Sequence, residues 1–251
     1  MRSAIVTGAS SGIGRAAALK LATDGYSILA VGRDKAALDR VCAEVAASGG
    51  KAQPFVADVT SSEGPAAVVA AATKAFDGVD ALVNAAGIIA SGGVAETSDE
   101  AWDTMLGINV RAPFRLIREA APALVARKGS VVNVSSVAGP RAFPGVAAYC
   151  VSKAAVDQLT RVAALDLAPK GVRVNAVNPG VVVTNLHPAA AMDESKYAEF
   201  LERSKTTHPL GRVGTPEEIA GVIAFLVSPA SGWITGETVA IDGGRHLTCF
   251  R

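Results

Sequence analysis

Cysteine is scarce in this chain and poorly placed for the roles that usually need it. Cys42, Cys150 and Cys249 lie far apart, without a CxxC spacing or a nearby histidine pattern, so neither a zinc site nor a disulfide framework is expected. A reducing cytoplasmic setting suits them best. Charge of one sign is lacking too. Lys and Arg number 24 against 23 Asp and Glu, for a formal net charge of +1, which is not the basic excess of a nucleic-acid binder. No uncharged run approaches the ~20 residues of a membrane span, and the first strand starts by Ser3, leaving no room for a signal peptide. The sequon Asn133-Val134-Ser135 sits in a run that reads as a buried strand and is discounted. No linker rich in Pro, Gly or Ser interrupts the 251 residues, so one domain over residues 1–251 is expected.

Short β-branched or apolar runs recur at 4–7, 27–31, 52–56, 81–84, 130–134, 173–177 and 238–241. Stretches with helical spacing separate them, such as Ile13, Ala17 and Leu21, then Leu38, Val41 and Val45. Strand alternating with helix predicts an α/β fold, a Rossmann-type doubly wound sheet of about seven parallel strands covered by helices on both faces. Glycines suited to a C′ position close the first three helices, in TDGY, SGGK and FDGVD. Residues 149–169 form a helix with apolar side chains on nearly every side. It is either a central core helix or a helix sandwiched between its own sheet and a second subunit.

After the first strand the chain reads TGASSGIG, residues 7–14. Glycines at 8, 12 and 14 suit a flexible loop, or a turn that offers bare N–H groups to a diphosphate at a helix start. Tyr149 and Lys153 lie one helical turn apart and share a face. A free tyrosine has a pKa of ~10, and an ammonium at ~4 Å contributes about 4 kcal/mol toward phenolate at an effective dielectric of 20. Tyr149 is therefore expected to exchange a proton near neutrality. Ser136 follows a strand thirteen residues earlier, and its hydroxyl can reach the same cleft. Small residues after the strand at 81–84 would let a flat ligand approach the backbone.

These features together resemble the classical short-chain dehydrogenases/reductases, and broadly their 3-oxoacyl acyl-carrier-protein reductase-like subgroup. The likeness runs from residue 4 to 244. It is carried by TGASSGIG, by ADV at 57–59, NAAG at 84–87, Asn109 in GINV, VSS ending at Ser136, YCVSK, NPG at 178–180 and IDGG at 241–244. The resemblance implies that Ser136 polarises a carbonyl, Tyr149 donates the proton, and Lys153 holds the ribose hydroxyls and lowers the tyrosine pKa. Asn109 would anchor a water that links Lys153 to solvent. Hydride would pass from a nicotinamide to the carbonyl carbon. The dinucleotide would contact Gly8, Ser10, Ser11, Gly12, Ile13 and Gly14. Asp58 and Val59 would meet the adenine, with Asn84, Ala85 and Gly87 beside them. Pro179, Gly180, Val181, Val182 and Thr184 would flank the nicotinamide end. No metal is implied.

The second strand ends in SILAVGRDKAAL. Where NAD enzymes of this architecture place a carboxylate for the ribose hydroxyls, this chain has Gly32, followed by Arg33, which can pair with a 2′-phosphate. NADP(H) is therefore the expected cofactor, with NAD as the alternative, and reduction the working direction. Asp34 reads as the cap of the next helix. A substrate lid is expected over roughly residues 184–214. There Tyr197, Phe200 and Leu201 either cap an apolar substrate or pack a surface helix, and His187 and His208 are given no chemistry. Cys150 is given no redox role. The substrate is a small carbonyl compound or alcohol, without nucleic-acid or membrane partners. Whether Arg141, Lys196 or Arg203 forms a docking patch for an acyl carrier is left open. A family habit of pairing the helices at 111–127 and 149–167 across a two-fold axis implies a homotetramer. Two rivals remain: an epimerase or dehydratase sharing the Tyr-x-x-x-Lys pair, and a non-catalytic dinucleotide sensor.

Overall fold

A computed structural model describes residues 2–184 and 194–248. Seven strands form one sheet: β1 (Arg2–Thr7), β2 (Tyr26–Gly32), β3 (Lys51–Val56), β4 (Ala81–Asn84), β5 (Ser130–Val134), β6 (Arg173–Pro179) and β7 (Thr238–Ile241). All neighbours are parallel, in the order β3-β2-β1-β4-β5-β6-β7. The five inner strands are almost wholly buried, as strands covered on both faces must be. The edge strand β3 is largely open and carries Pro54, which could not donate to a ladder on both sides.

The helices are α1 (Gly12–Thr23), α2 (Lys35–Ala47), α3 (Gly64–Phe76), α4 (Asp99–Leu106), α5 (Ala112–Arg127), α6 (Ala147–Leu167), α7 (Glu194–Thr207) and α8 (Pro216–Val227). One face of the sheet packs against α1, α2 and α8, with Leu21, Leu38, Ile219 and Ile223 fully buried. The other packs against α3, α5 and α6, through Val68, Leu116, Leu124 and Ala163. Each such aliphatic side chain contributes about 2 kcal/mol by leaving water. Of the two readings of the helix at 149–169, a helix central to the core of one chain is not what the fold shows. In α6 only one side is buried, while Val151, Val162 and Leu165 are exposed. Gly25 and Gly49 take positive φ after α1 and α2 as expected, but after α3 the left-handed residue is Asp77, with φ 59°, ahead of Gly78.

Register decides where a ligand can sit. Thr7 pairs with Val31 and with Asn84, and Asn84 pairs with Asn133, so the carboxyl ends of four strands lie level. The direction in which successive strands are added to the sheet reverses between β1 and β4, which parts the loops leaving them and opens a crevice at that point.

Candidate active site

The turn from β1 into α1 forms one wall of the crevice. Gly8 sits at φ +64°, and a Cβ there would press on the backbone of Ala85 and Ala86 at 2.9 Å. Thr7 fixes that approach, its Oγ1 accepting from the N–H groups of Ala85 (3.1 Å) and Ala86 (3.2 Å). A Cβ on Gly14 would overlap the Gly8 carbonyl. Among the described residues the Ser11 side chain makes no cap bond to α1, and the first turn of that helix, Gly12, Ile13 and Gly14, lines the crevice. The crevice is the mouth of a cleft of 1480 Å³ running from Arg33 past Tyr149 to Arg245.

Ser136, Tyr149 and Lys153 meet at the middle of this cleft, all three buried. Ser136 lies just past β5. Its Oγ accepts from Ala138 N at 3.1 Å, and its carbonyl accepts from Asn178 Nδ2 at 3.0 Å. On α6, Lys153 Nζ donates to the Val134 carbonyl at 2.9 Å and stands 5.6 Å from the centre of the Tyr149 ring. Burial pushes the Tyr149 phenol up to about 12, against a hydrogen bond with Ser136 that favours the phenolate. Burial likewise brings Lys153 down to about 8, opposed by the carboxylate of Asp157. For Tyr149 the direction is opposite to the one expected from the Tyr-Lys spacing: the ammonium donates to the Val134 carbonyl, and desolvation of the buried phenol prevails over its hydrogen bond with Ser136.

The residues expected at a cofactor or catalytic site all line this cleft, with the exception of Asn84 and Asn109. Asn84 turns into the sheet, where its Nδ2 donates to Asn133 Oδ1 at 2.8 Å. Asn109 lies in a π-helical turn, Gly107–Arg111, between α4 and α5. Its side chain accepts from Ile88 N at 2.9 Å and donates to Ile88 O and Ser152 Oγ, each at 3.0 Å, tying the loop after β4 to α6. At the end of β2 a Cβ on Gly32 would meet Leu38 and Ser10 at ordinary contact distance, so that position has room for one. Arg33 lines the cleft beside this space, and Asp34 caps α2 by accepting from Ala37 N at 3.0 Å. Asp58 is held below the usual carboxylate range by hydrogen bonds from Thr60 and then by the charge of Arg33.

Sequence reasoning missed Asp157 and Asn178. The buried Asp157 carboxyl, raised by its burial, accepts from Asn178 Nδ2 at 3.0 Å, and the same amide supports Ser136. Phe143 and Arg245 were also missed; both line the cleft at its far end. His208 is buried and structural. Its Nε2 accepts from Val181 N at 3.1 Å, so Nδ1 carries the proton and donates to Ser204 O at 2.6 Å, and burial keeps the ring neutral by lowering its pKa. Tyr197 donates to the Thr184 carbonyl at 3.1 Å, whereas Phe200 lines the cleft. Cys150 accepts from Phe143 N. Arg141 donates to the His246 carbonyl. His187 and Cys249 lie outside the described residues.

Among the described residues, no group of three or more His, Cys, Asp or Glu is placed to hold a metal ion, and no helix is long and apolar enough to cross a membrane.

A family model described as enoyl-(acyl carrier protein) reductase matches residues 8–246. A 3-oxoacyl-(acyl-carrier-protein) reductase from Thermotoga maritima is 37% identical over 241 residues, covering 96% of each chain. A human mitochondrial protein, dehydrogenase/reductase SDR family member 2, is 37% identical over 243 residues, covering 96% of this chain and 85% of its own. Among solved structures, a short-chain dehydrogenase/reductase of unknown function from Caenorhabditis elegans, determined with cofactor, has a TM-score of 0.94 at 35% identity, covering 99% of this chain and 96% of its own. A protein proposed to be an NAD(P)-dependent gluconate 5-dehydrogenase from Beutenbergia cavernae, with NADP bound at low occupancy, has a TM-score of 0.89 at 40% identity, covering 98% and 97%.

Proposed function

Since this chain belongs to the short-chain dehydrogenase/reductase family, we propose that it is an NADP(H)-dependent oxidoreductase that reduces a ketone to a secondary alcohol, with Tyr149 as the proton donor. The observation that carries this reading is the convergence of Ser136, Tyr149 and Lys153 in one cleft with the glycine-rich turn. That turn fits a dinucleotide: glycines at 8 and 14 let it fold tightly against the backbone of Ala85 and Ala86 and of Gly8, and the first turn of α1, without a side-chain cap from Ser11, would offer its N–H groups to the diphosphate. Gly8 to Gly14 would hold the diphosphate, Asp58 and Val59 the adenine, and the segment from Pro179 to Thr184 the nicotinamide end. Lys153 would hold the ribose hydroxyls. When bound, the nicotinamide supplies the hydride.

The remaining chemistry belongs to side chains of this chain. Ser136 and Tyr149 offer two hydroxyls to one carbonyl oxygen, and Tyr149 gives up its proton as charge develops there. A phenol held at about 12 stays protonated through the neutral range, as the donor of a proton to the carbonyl oxygen must be. Lys153 Nζ stands 5.6 Å from the centre of the Tyr149 ring, near enough for its charge to act on the phenol. Asn109 holds the segment at Ile88 against α6; with its side chain engaged there, its backbone would hold the relay water. The domain is taken as the whole chain, with residues 184–214 as substrate lid.

The test is NADPH oxidation across ketones with the wild type and Tyr149→Phe. The variant loses only the transferable proton, so turnover is expected to fall by about a thousandfold, while NADPH binding, followed by fluorescence, stays nearly intact. Normal rates in Tyr149→Phe would remove Tyr149 from the mechanism.

A further inference from the structure

Asp157 and Asn178 do not line the cleft, yet both are buried against residues that do. Asp157 lies on α6 one helical turn beyond Lys153, and Asn178 lies near the end of β6. The Asn178 amide donates twice from Nδ2, to the Ser136 carbonyl and to Asp157 Oδ2, each at 3.0 Å. Ser135 N and Val137 N donate in turn to the Val177 and Pro179 carbonyls, at 2.9 and 2.8 Å. The main chain that carries the Ser136 hydroxyl is thus tied to β6 on both sides and at its own carbonyl, and the Asp157 carboxyl sets the amide that makes the last of these ties. Gly139 leaves room for that carboxyl, since a Cβ there would overlap Asp157 Oδ2.

A clamp between α6 and β6 does not need a charge, and a buried carboxyl is costly unless it is fully paired. Here the pairing is incomplete: Asp157 Oδ1 and Asn178 Oδ1 are both buried without a hydrogen-bond partner among the described residues. The charged groups that act on Asp157 are Arg161 and Lys153, both on α6, while Ser135 after β5 and Asn178 on β6 are neutral donors. Burial raises the Asp157 pKa against all four of them. Lys153 is faced by the Tyr149 ring and by the Val134 carbonyl, and the negative charge that opposes its loss of a proton on burial is that of Asp157.

We propose that Asp157 is a positioning residue of the reaction: through Asn178 it holds the Ser136 main chain at β6, and, one helical turn beyond Lys153, it supplies the negative charge that answers the buried ammonium. This rests on the reductase reading above and adds a residue to the same site. Ser136 then offers its hydroxyl to the carbonyl oxygen from a fixed place, and Lys153 keeps the charge that favours proton transfer from Tyr149.

The test is the pH profile of NADPH-dependent ketone reduction by the full chain. Asp157→Asn keeps the shape and an acceptor for Asn178 but removes the charge. Its kcat/KM on the level part of the profile should change little, while the alkaline limb moves down by about one pH unit. Asp157→Ala removes the acceptor as well and should lower kcat on the level part by about tenfold, with KM nearly constant. That loss should vanish in a Ser136→Ala background, where no hydroxyl is left to position. A clamp that only joins α6 to β6 would lower the melting temperature of both variants, leave the limb in place and give additive losses, and that outcome overturns the proposal. If Asp157→Ala does not fold, the limb of Asp157→Asn decides. A further measurement needs no turnover: carbon NMR of lysine-labelled protein, with the Lys153 Cε signal assigned by its absence from Lys153→Arg, should show the amine titrating at lower pH in Asp157→Asn. An unmoved titration overturns the link to Lys153 whether or not a ketone is reduced. A titration that moves, in a protein whose wild type reduces no ketone, would support the charge role and overturn the reductase.

Discussion

At Tyr149 burial and hydrogen bonding pull in opposite directions, and burial prevails, holding the phenol at about 12. Lys153, one turn away, is moved the other way, to about 8. The two shifts set the pH dependence. The donor stays protonated across the usual assay range, while the ammonium loses its proton as pH rises through about 8, taking with it the charge that favours transfer from Tyr149. The expected profile of kcat/KM for ketone reduction is level near neutrality and falls above about pH 8, approaching tenfold per pH unit. A profile that stays level into strongly alkaline buffer would separate Lys153 from proton transfer. The pairing of Tyr149 and Lys153 was legible because helical spacing alone puts them on one face. Their pKa values were not, since they depend on enclosure by β5, β6 and the loop after β4. For the same reason Asp157 and Asn178 stayed hidden: they meet only when α6 packs on β6.

On the reading proposed above, the junction of β2 and α2 would carry the choice of cofactor, and its parts would have separate duties. Gly32 ends the strand with room for a Cβ; Arg33 lines the cleft; Asp34 caps α2. Arg33→Ala is expected to weaken NADPH by about tenfold or more with little change for NADH, because a charge-assisted bond to the 2′-phosphate is lost. Gly32→Asp should shift preference toward NADH by placing a carboxylate where that phosphate would lie. Steady-state kcat/KM for both dinucleotides decides the matter, and a wild type that favours NADH would refute the assignment. At this scale the sequence was informative where one rule acts alone. Buried parallel strands read as apolar runs, and the Gly-rich turn lay at a strand end. It was less informative where several surfaces compete, as on α6, whose apolar residues face both its own sheet and solvent.

That open side of α6 matters most for the whole molecule. Val151, Val162 and Leu165 are exposed there, Leu165 at 76%, and Phe114 on the adjoining α5 is exposed too. On the other face of the sheet Phe225 of α8 is exposed, and Trp233, in the turn before β7, is completely so at 101%. Isolated apolar side chains on a surface are ordinary, but clustered ones mark contacts. A closed tetramer with three two-fold axes needs more than one self-complementary patch, and exposed apolar side chains stand on α5 and α6 on one face of the sheet and on α8 on the other. The expected assembly is a homotetramer in which α5 and α6 pair about one axis and the region of α8 and β7 meets its copy about another. Light scattering should give about four times the 25.4 kDa chain mass. The two patches also make a graded outcome: Val162→Glu with Leu165→Glu should leave a dimer, because the contact through Phe225 and Trp233 survives, and adding Trp233→Glu should then leave monomers. A wild type that is monomeric at micromolar concentration, or a Val162→Glu, Leu165→Glu protein that remains tetrameric, would show that these faces meet solvent and not another copy of the chain.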